Sequence, residues 1–170
     1  MDIMRNRMIK KRYNNTSALQ LLSCLSSLIA LELLYPSKEM FLTSPWLTNV
    51  QILNNVYGQF RMITACYSGK ILGLRDLLIL LSDKGCKVYL MTSPADHNNA
   101  FLRDLPSSIL VKKEKDLHEK ALVTEGFYLR GSMNFTYSGI NINSESIEIT
   151  TDEQLVAMAT VEARYHWGIA

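Results

Sequence analysis

The chain has 170 residues, of which 48% are hydrophobic and 20% are charged, and its formal net charge at pH 7 is +2. This ordinary globular balance fits one domain, and a chain of this length buries enough surface to fold without disulfide or metal support. An odd number of cysteines with no Cys-x-x-Cys spacing argues against a disulfide framework and predicts reduced thiols in a cytoplasmic protein. The cysteines are Cys24, Cys66 and Cys86.

The first residues are strongly basic, because five lysines and arginines share a stretch whose only acid is Asp2. We predict that residues 1–15 form a basic arm and that residues 16–170 form one domain beginning with a helix. Two interpretations of the arm stay open: it contacts nucleic acid or anionic lipid, or it is a solvated and partly disordered terminus. The basic residues are Arg5, Arg7, Lys10, Lys11 and Arg12.

Residues 18–34 are apolar enough to resemble a signal peptide or a membrane span. Polar side chains, including Gln20 and Glu32, interrupt the run, and no small-x-small cleavage site follows it. The run is also slightly short for a bilayer, where a glutamate is costly. We therefore predict a buried helix of a soluble protein without a membrane partner, with a capping box at Ser17 and Gln20 and a stop at Pro36.

Downstream, short apolar runs alternate with helical patterns. The runs predict strands at residues 40–43, 87–92, 109–112, 117–124, 127–129 and 145–150. The helical patterns predict helices at residues 72–81, at residues 98–105, and from a capping box at Thr151 and Gln154 to about Trp167. Residues 47–67 fit neither pattern. This alternation indicates a layered α/β domain around a largely buried sheet.

The segment that carries chemistry begins with His-Glu-Lys at residues 118–120. Residues two apart on a strand share a face, so His118 and Lys120 are expected to project together. A neutral imidazole can attack phosphorus, while a neighbouring ammonium neutralises the charge that develops on the phosphate oxygens. The pair therefore indicates chemistry on a phosphate ester.

Further polar residues follow this pair. A tight turn at Gly131 would aim the Ser132 hydroxyl and the Asn134 amide at the same anion. The strand alternation places Glu125 on the face opposite His118, so a structural contact is the better interpretation of that carboxylate.

Glu145 shares a strand face with Ile147 and Ile149, and a carboxylate on an apolar face needs a partner. His118 is the expected partner. A carboxylate on one ring nitrogen fixes the tautomer of the imidazole and leaves the other nitrogen free to attack.

His-x-Lys, an acid five residues after the lysine, Gly-Ser-x-Asn and Asn-Ser-Glu, in this order and spacing, resemble the phospholipase D superfamily. The likeness covers about residues 109–167 and is greatest to its small single-motif bacterial endonucleases of the Nuc type. Residues 31–37 and 44–47 resemble a narrower branch, the DpdK-like proteins of bacterial 7-deazaguanine DNA-modification clusters. The resemblance implies an α-β-α sandwich around a mixed, largely buried sheet.

The resemblance also implies a role for each site residue. His118 would be the nucleophile that forms a phosphohistidine intermediate, and Glu145 would orient it. Lys120 and Asn134 would bind the phosphate, with Ser132 helping. The reaction in this family needs neither a metal nor another cofactor.

The family's site uses two motifs, and this chain has one. Protonation of the leaving group needs a second imidazole, and neither His97 nor His166 has a lysine two residues later. A two-fold homodimer would bring a second His118 into the same site, which is the arrangement of the single-motif relatives. The chain departs from the family at Glu125, where the family motif has Asp, a position placed away from the reacting face.

We expect a metal-independent phosphodiesterase, an endonuclease acting on DNA in a phage-defence or DNA-modification system that would supply partner proteins. Two alternatives stay open: a non-catalytic nucleic-acid-binding subunit of a larger complex, and a phospholipase or phosphatidyltransferase. A solvated strand edge is the favoured interpretation of Lys112, Lys113 and Lys115, over a guide for a polyanion. Trp46 and Tyr57 are expected to pack in the core rather than to stack on bases.

Overall fold

The computed structural model describes residues 6–11, 15–65, 67 and 69–169. The strands of this part of the chain are β1 (Asn6–Lys11), β2 (Glu39–Thr43), β3 (Gln51–Asn54), β4 (Ile71–Gly73), β5 (Lys87–Thr92), β6 (Leu110–Lys113), β7 (Ala121–Val123), β8 (Tyr128–Gly131) and β9 (Glu145–Thr150). The α-helices are α1 (Asn15–Leu34), α2 (Leu74–Asp83), α3 (Asn99–Leu102) and α4 (Glu153–Trp167). A 3₁₀ turn at Asp96–Asn98 precedes α3, and a π-helical turn at Ser138–Ile142 precedes β9.

Seven strands form one mixed sheet in the order β1-β9-β8-β7-β2-β5-β6. Pairing is antiparallel from β1 as far as β2, and parallel between β2, β5 and β6. Strands β3 and β4 form a separate antiparallel pair. The sheet is therefore mixed, as predicted.

Helices cover both faces of the sheet. Leu42 of β2 and Leu90 of β5 join the main core with residues of α1 and α2. The alternate residues Phe41 and Tyr89 stack with ring centroids 4.6 Å apart, and they form a second core with Ala159 of α4. Because successive strand residues point to opposite faces, α1 and α2 lie on one side and α4 on the other. This confirms the α-β-α sandwich.

Helix α1 is the predicted N-terminal helix. It begins at Asn15, so Ser17 lies inside the helix rather than at its start, and it ends at Leu34, before Pro36. Glu32 is only 5% exposed, and its carboxylate accepts a hydrogen bond from the Ser37 N–H at 3.2 Å. Within the described residues, no helix has the length and apolarity that crossing a bilayer requires.

The predicted basic arm is corrected for residues 6–11, because they form strand β1. This strand pairs antiparallel with β9, with Ile9 opposite Ile147 and Lys11 opposite Glu145. Ile9 is buried in the main core, whereas Met8 is 63% exposed on the other face. Pairing with β9 therefore holds residues 6–11 in an ordered strand, although most of these residues are polar. Arg5 and Arg12 lie outside the described residues.

Two local predictions near the chain's motifs are also corrected. Strand β7 begins at Ala121 rather than at residue 117, so residues 118–120 precede it. Helix α4 is capped by Asp152 rather than by Thr151. The Asp152 carboxylate accepts hydrogen bonds from the N–H groups of Gln154 at 3.1 Å and Leu155 at 3.2 Å.

Candidate active site

His118 and Lys120 lie in an irregular segment that leads into β7. The Lys120 carbonyl accepts a hydrogen bond from the Gly131 N–H at 3.2 Å, which ties this segment to the end of β8. The Lys120 ammonium donates a hydrogen bond to the His118 carbonyl. Although they are not on a regular strand, both residues line one cleft of about 550 Å³, which we call the main cleft.

The imidazole of His118 is accessible. His118 is exposed, and among the described residues its ring makes no hydrogen bond. Both ring nitrogens are therefore open to a substrate or to a second subunit. An imidazole with this exposure is accessible to a ligand bound in the main cleft.

Asn134 also lines the main cleft and is held by the loop after β2. Its Oδ1 lies 3.5 Å from Ser44 Oγ, and the same hydroxyl accepts a hydrogen bond from the Phe135 N–H at 3.2 Å. Ser44 is fully buried and donates to the Trp46 carbonyl at 2.8 Å. The amide is thus placed in the cleft by a buried contact between two loops.

Ser132 and Glu145 form a second part of the site. The Ser132 hydroxyl donates to the Glu145 carboxylate and accepts from the Ser146 N–H at 3.1 Å. Ser132 lines a side pocket of about 420 Å³ that His118 and Lys120 also border. The structure therefore pairs Glu145 with Ser132, whereas the expected contact of Glu145 was with His118.

The glycine before Ser132 is required by close strand packing. A Cβ atom on Gly131 would lie 2.1 Å from the Ser146 carbonyl oxygen, well inside contact distance. Gly131 pairs with Ile147, and the Ser132 N–H donates to the Ser146 carbonyl at 3.0 Å. Glycine lets β8 approach β9 closely enough to bring Ser132 beside Glu145.

Glu125 lies at the other end of β7 from His118. Its carboxylate accepts a hydrogen bond from the Lys38 N–H at 3.3 Å, and its own N–H donates to the Ser37 hydroxyl at 3.0 Å. These bonds join the turn after β7 to the segment between α1 and β2. The structure thus places Glu125 in a backbone contact outside both pockets.

Glu119 points away from the cleft, towards α4. Its carboxylate lies 3.8 Å from Nδ1 of His166. Burial raises the pKa of Glu119, while the nearby His166 lowers it and Glu162 raises it further. His166 also accepts a hydrogen bond at its carbonyl from the Lys112 ammonium at 2.8 Å. The middle residue of the His-x-Lys segment thus joins the site to the C-terminal helix.

Two aromatic residues expected in the core are exposed. Trp46 is 53% exposed and lines the main cleft, and Tyr57 is 92% exposed. Lys115, for which a solvated strand edge was the favoured interpretation, lies after the end of β6 and also lines the main cleft. The position of Trp46 directly after Pro45, in a loop that ends a strand, was the one available signal. Within the described residues, no group of three or more His, Cys, Asp or Glu side chains could hold a metal ion.

Residues 50–167 match the family model described as cardiolipin synthase, phospholipase D-like domain, which is more than half of the chain. The chain belongs to the phospholipase D superfamily. The match contains every residue assigned to the site from the sequence, including His118 and Glu145. Family membership confirms the predicted class, a phosphodiesterase enzyme. The narrower DpdK-like resemblance stays a prediction.

Solved structures share the superfamily fold with this chain. NucT from Helicobacter pylori is 16% identical, with a TM-score of 0.56 over 94% of this chain and 93% of its own. Nuc from Salmonella typhimurium, a phospholipase D family member, is 13% identical, with a TM-score of 0.61 over 96% of this chain and 93% of its own. A polyphosphate kinase from Porphyromonas gingivalis is 14% identical, with a TM-score of 0.63 over 97% of this chain but 26% of its own.

The agreement in length with Nuc and NucT fits the prediction of a single-motif, Nuc-type member of the superfamily. At these identities the likeness shows the fold alone. No curated protein sequence matches the chain.

Proposed function

We propose that this chain is a metal-independent endonuclease that cleaves DNA through a phosphohistidine intermediate on His118. The observation that carries the proposal is the shared cleft. An exposed imidazole, the Lys120 ammonium and the Asn134 amide all border the same space of about 550 Å³. A nucleophile beside groups that bind an anion is what phosphoryl transfer requires.

In the first step, one nitrogen of His118 attacks phosphorus and the bond from phosphorus to the leaving oxygen breaks. Lys120 and Asn134 hold the phosphate oxygens as negative charge develops on them. Water then attacks phosphorus and gives up a proton to a second imidazole, the bond from phosphorus to the histidine nitrogen breaks, and the free phosphate end is released. The charge is balanced by side chains, so no metal is invoked.

We assign Glu145 to the orientation of His118, acting through Ser132. Glu145 accepts a hydrogen bond from the Ser132 hydroxyl, and Ser132 borders the side pocket together with His118. Because the single hydroxyl proton points to the carboxylate, the remaining lone pair of the Ser132 oxygen is free to accept a hydrogen bond from an N–H of the His118 ring.

The leaving oxygen needs a proton from a second imidazole. His97 packs its ring against Trp46, with centroids 5.5 Å apart, and His166 lies beside Glu119. The exposed His118 of a second copy is the better donor, so we propose a two-fold homodimer with one composite site. In mixed dimers with His118→Ala subunits, activity should fall with the square of the wild-type fraction. A linear fall, or active monomers in sedimentation, would contradict this arrangement.

The central experiment is DNA cleavage in the presence of EDTA. Wild-type protein should nick plasmid or cleave single-stranded DNA, and His118→Ala should reduce the rate by at least about a thousandfold, as expected for a lost nucleophile. His166→Ala is the matched control and should retain activity, because His166 borders neither pocket that contains His118. A labelled phosphohistidine should be trapped with the wild type and with His166→Ala, but not with His118→Ala.

Other outcomes would reassign the function. Salt-sensitive DNA binding without a trapped intermediate would favour a non-catalytic binding subunit. Headgroup release from anionic vesicles, with no action on DNA, would favour a phospholipase. The proposed setting is a phage-defence or DNA-modification system, and preferential cleavage of either 7-deazaguanine DNA or unmodified DNA would support it.

A further inference from the structure

We propose that Trp46 is a stacking platform for an unpaired nucleobase, next to the phosphodiester that His118 attacks. This inference rests on the proposed function and deepens it, because it makes single-stranded or locally unpaired DNA the substrate. Trp46 is 53% exposed, whereas Pro45 and Leu47 on either side of it are buried. The indole borders the main cleft together with His118 and Asn134, so one nucleotide can place its base on the ring and its phosphate near the imidazole.

The backbone that carries Trp46 is held rigidly. Asn98 is fully buried; its amide donates to the Pro45 carbonyl at 2.8 Å, and its Oδ1 accepts from the Leu47 N–H at 2.9 Å. Ser93 Oγ donates to the same Pro45 carbonyl at 2.7 Å, and Ser44 Oγ donates to the Trp46 carbonyl at 2.8 Å. An aromatic side chain on a fixed backbone binds with little loss of conformational freedom.

The indole has a free face. Its ring meets the His97 ring at 88°, with centroids 5.5 Å apart. A perpendicular neighbour covers at most one face of the indole, and the measured exposure agrees with an open second face. Every nucleobase has a flat π-surface that can occupy such a face without sequence readout.

The charge of the main cleft fits a nucleotide strand better than a protein or a neutral ligand. Lys115 and Lys120 line it, and among the described residues that border it none is acidic. The side pocket differs, because Glu119 and Glu148 border it. Lys120 would hold the phosphate that is attacked, and Lys115 would hold the next phosphate along the strand. Apolar groups such as Pro94 also line the cleft.

The test measures binding without cleavage, in the His118→Ala background. A short oligothymidylate and a fully abasic strand of the same length are titrated by fluorescence anisotropy. Trp46→Ala should weaken oligothymidylate binding about 5- to 150-fold, the range for loss of one base–aromatic stack, and should leave abasic binding unchanged. Trp46→Phe should recover most of the affinity. Tyr57→Ala, which removes an exposed aromatic outside the cleft, should have no effect.

A second measurement does not depend on the alanine variant folding. The chain has two tryptophans, Trp46 and Trp167. Oligothymidylate should quench the emission of the wild type and of Trp167→Phe, but not that of Trp46→Phe.

Three results would overturn the inference: unchanged binding in Trp46→Ala, equal losses for both strands, or dissociation of a dimer by this substitution alone. The two proposals fail separately. If Trp46→Ala weakened oligothymidylate binding but the wild type did not cleave DNA, the nuclease assignment would be wrong. If the wild type cleaved DNA but Trp46→Ala did not change binding, the stacking platform would be wrong.

Discussion

The Asn98→Ala substitution is expected to destabilise the protein by about 3 kcal/mol, because this side chain is a fully buried junction between two loops. Its Nδ2 group donates to the carbonyls of Pro45 at 2.8 Å and Ser93 at 3.0 Å, and to Thr92 Oγ1 at 3.0 Å. Its Oδ1 accepts from the Leu47 N–H at 2.9 Å. No other residue of the short chain segment at 96–98 contributes so many bonds to the site loops.

The magnitude follows from which partners are left without a bond. The Pro45 carbonyl keeps donors from Thr92 and Ser93. The buried Leu47 N–H loses its acceptor, the Asn98 Oδ1, and an unsatisfied buried donor costs about 1–3 kcal/mol. The lost bond to the Ser93 carbonyl adds about 1 kcal/mol. For a domain of this length, ~3 kcal/mol corresponds to a fall in Tm of about 6–12 °C.

The measurement is urea and thermal unfolding, with Asn99→Ala as the matched control. Asn99 is exposed and its side chain makes one long contact, 3.5 Å to Asp96, so its loss should change stability by less than about 0.5 kcal/mol. Asn98→Asp keeps the shape but turns a donor into an acceptor facing carbonyl oxygens, so it should be at least as destabilising as alanine. If Asn98→Ala matched Asn99→Ala within error, the junction would not stabilise these loops.

Further expected outcomes concern a thiol, a carboxyl and a glycine. Burial, followed by nearby carboxylates, raises the pKa of Cys86 to about 12, so this thiol should resist aromatic disulfide reagents at about pH 8 until the protein is unfolded. Burial raises the pKa of Glu119 above its usual value of 4.5, so the folded state holds its proton more tightly than the unfolded chain does. The stability contributed by this carboxyl is present at low pH and is lost as the pH rises through the raised pKa. In a series of urea unfolding curves at different pH values, Glu119→Gln should reduce this loss of unfolding free energy with rising pH. The same pH dependence in the variant and the wild type would contradict the raised pKa. Gly131→Ala should cost about 1–3 kcal/mol and nuclease activity, because its Cβ would lie 2.1 Å from the Ser146 carbonyl oxygen; retention of both would show that β8 and β9 can separate.

Local sequence patterns predicted the structure correctly where it depends on residues that are close together in the sequence. Strands β5 and β9 have the bounds that their apolar runs predicted, and α1 ends before Pro36 as expected. The order and spacing of the motifs were sufficient to place the family. In each of these cases the signal lies within a few neighbouring residues.

The predicted strand bounds were wrong where they depend on pairing with a strand that is distant in the sequence. Thr43, the last residue of β2, pairs with Ala121 and is followed by Ser44 and Pro45. Residues 118–120 therefore have no β2 residues to pair with, and β7 begins at Ala121 rather than at residue 117. In the same way, β1 is a strand only because β9 supplies its hydrogen bonds.

The site differed from expectation for a similar reason. The contact between Glu145 and Ser132 depends on the register of β8 against β9, in which Gly131 pairs with Ile147. No periodicity in the sequence specifies that register. The exposure of Trp46 is likewise set by the Asn98 junction, a contact across 51 residues of chain.

Strand β1 has a practical consequence for handling the protein. It covers the side of β9 that faces away from β8, and its removal would leave the β9 backbone N–H and C=O groups on that side without partners. An uncovered edge of this kind recruits edges from other molecules and leads to aggregation. Truncated versions that start at helix α1 should therefore precipitate where the longer chain stays dispersed, and peptide tags placed directly against residue 6 should be avoided.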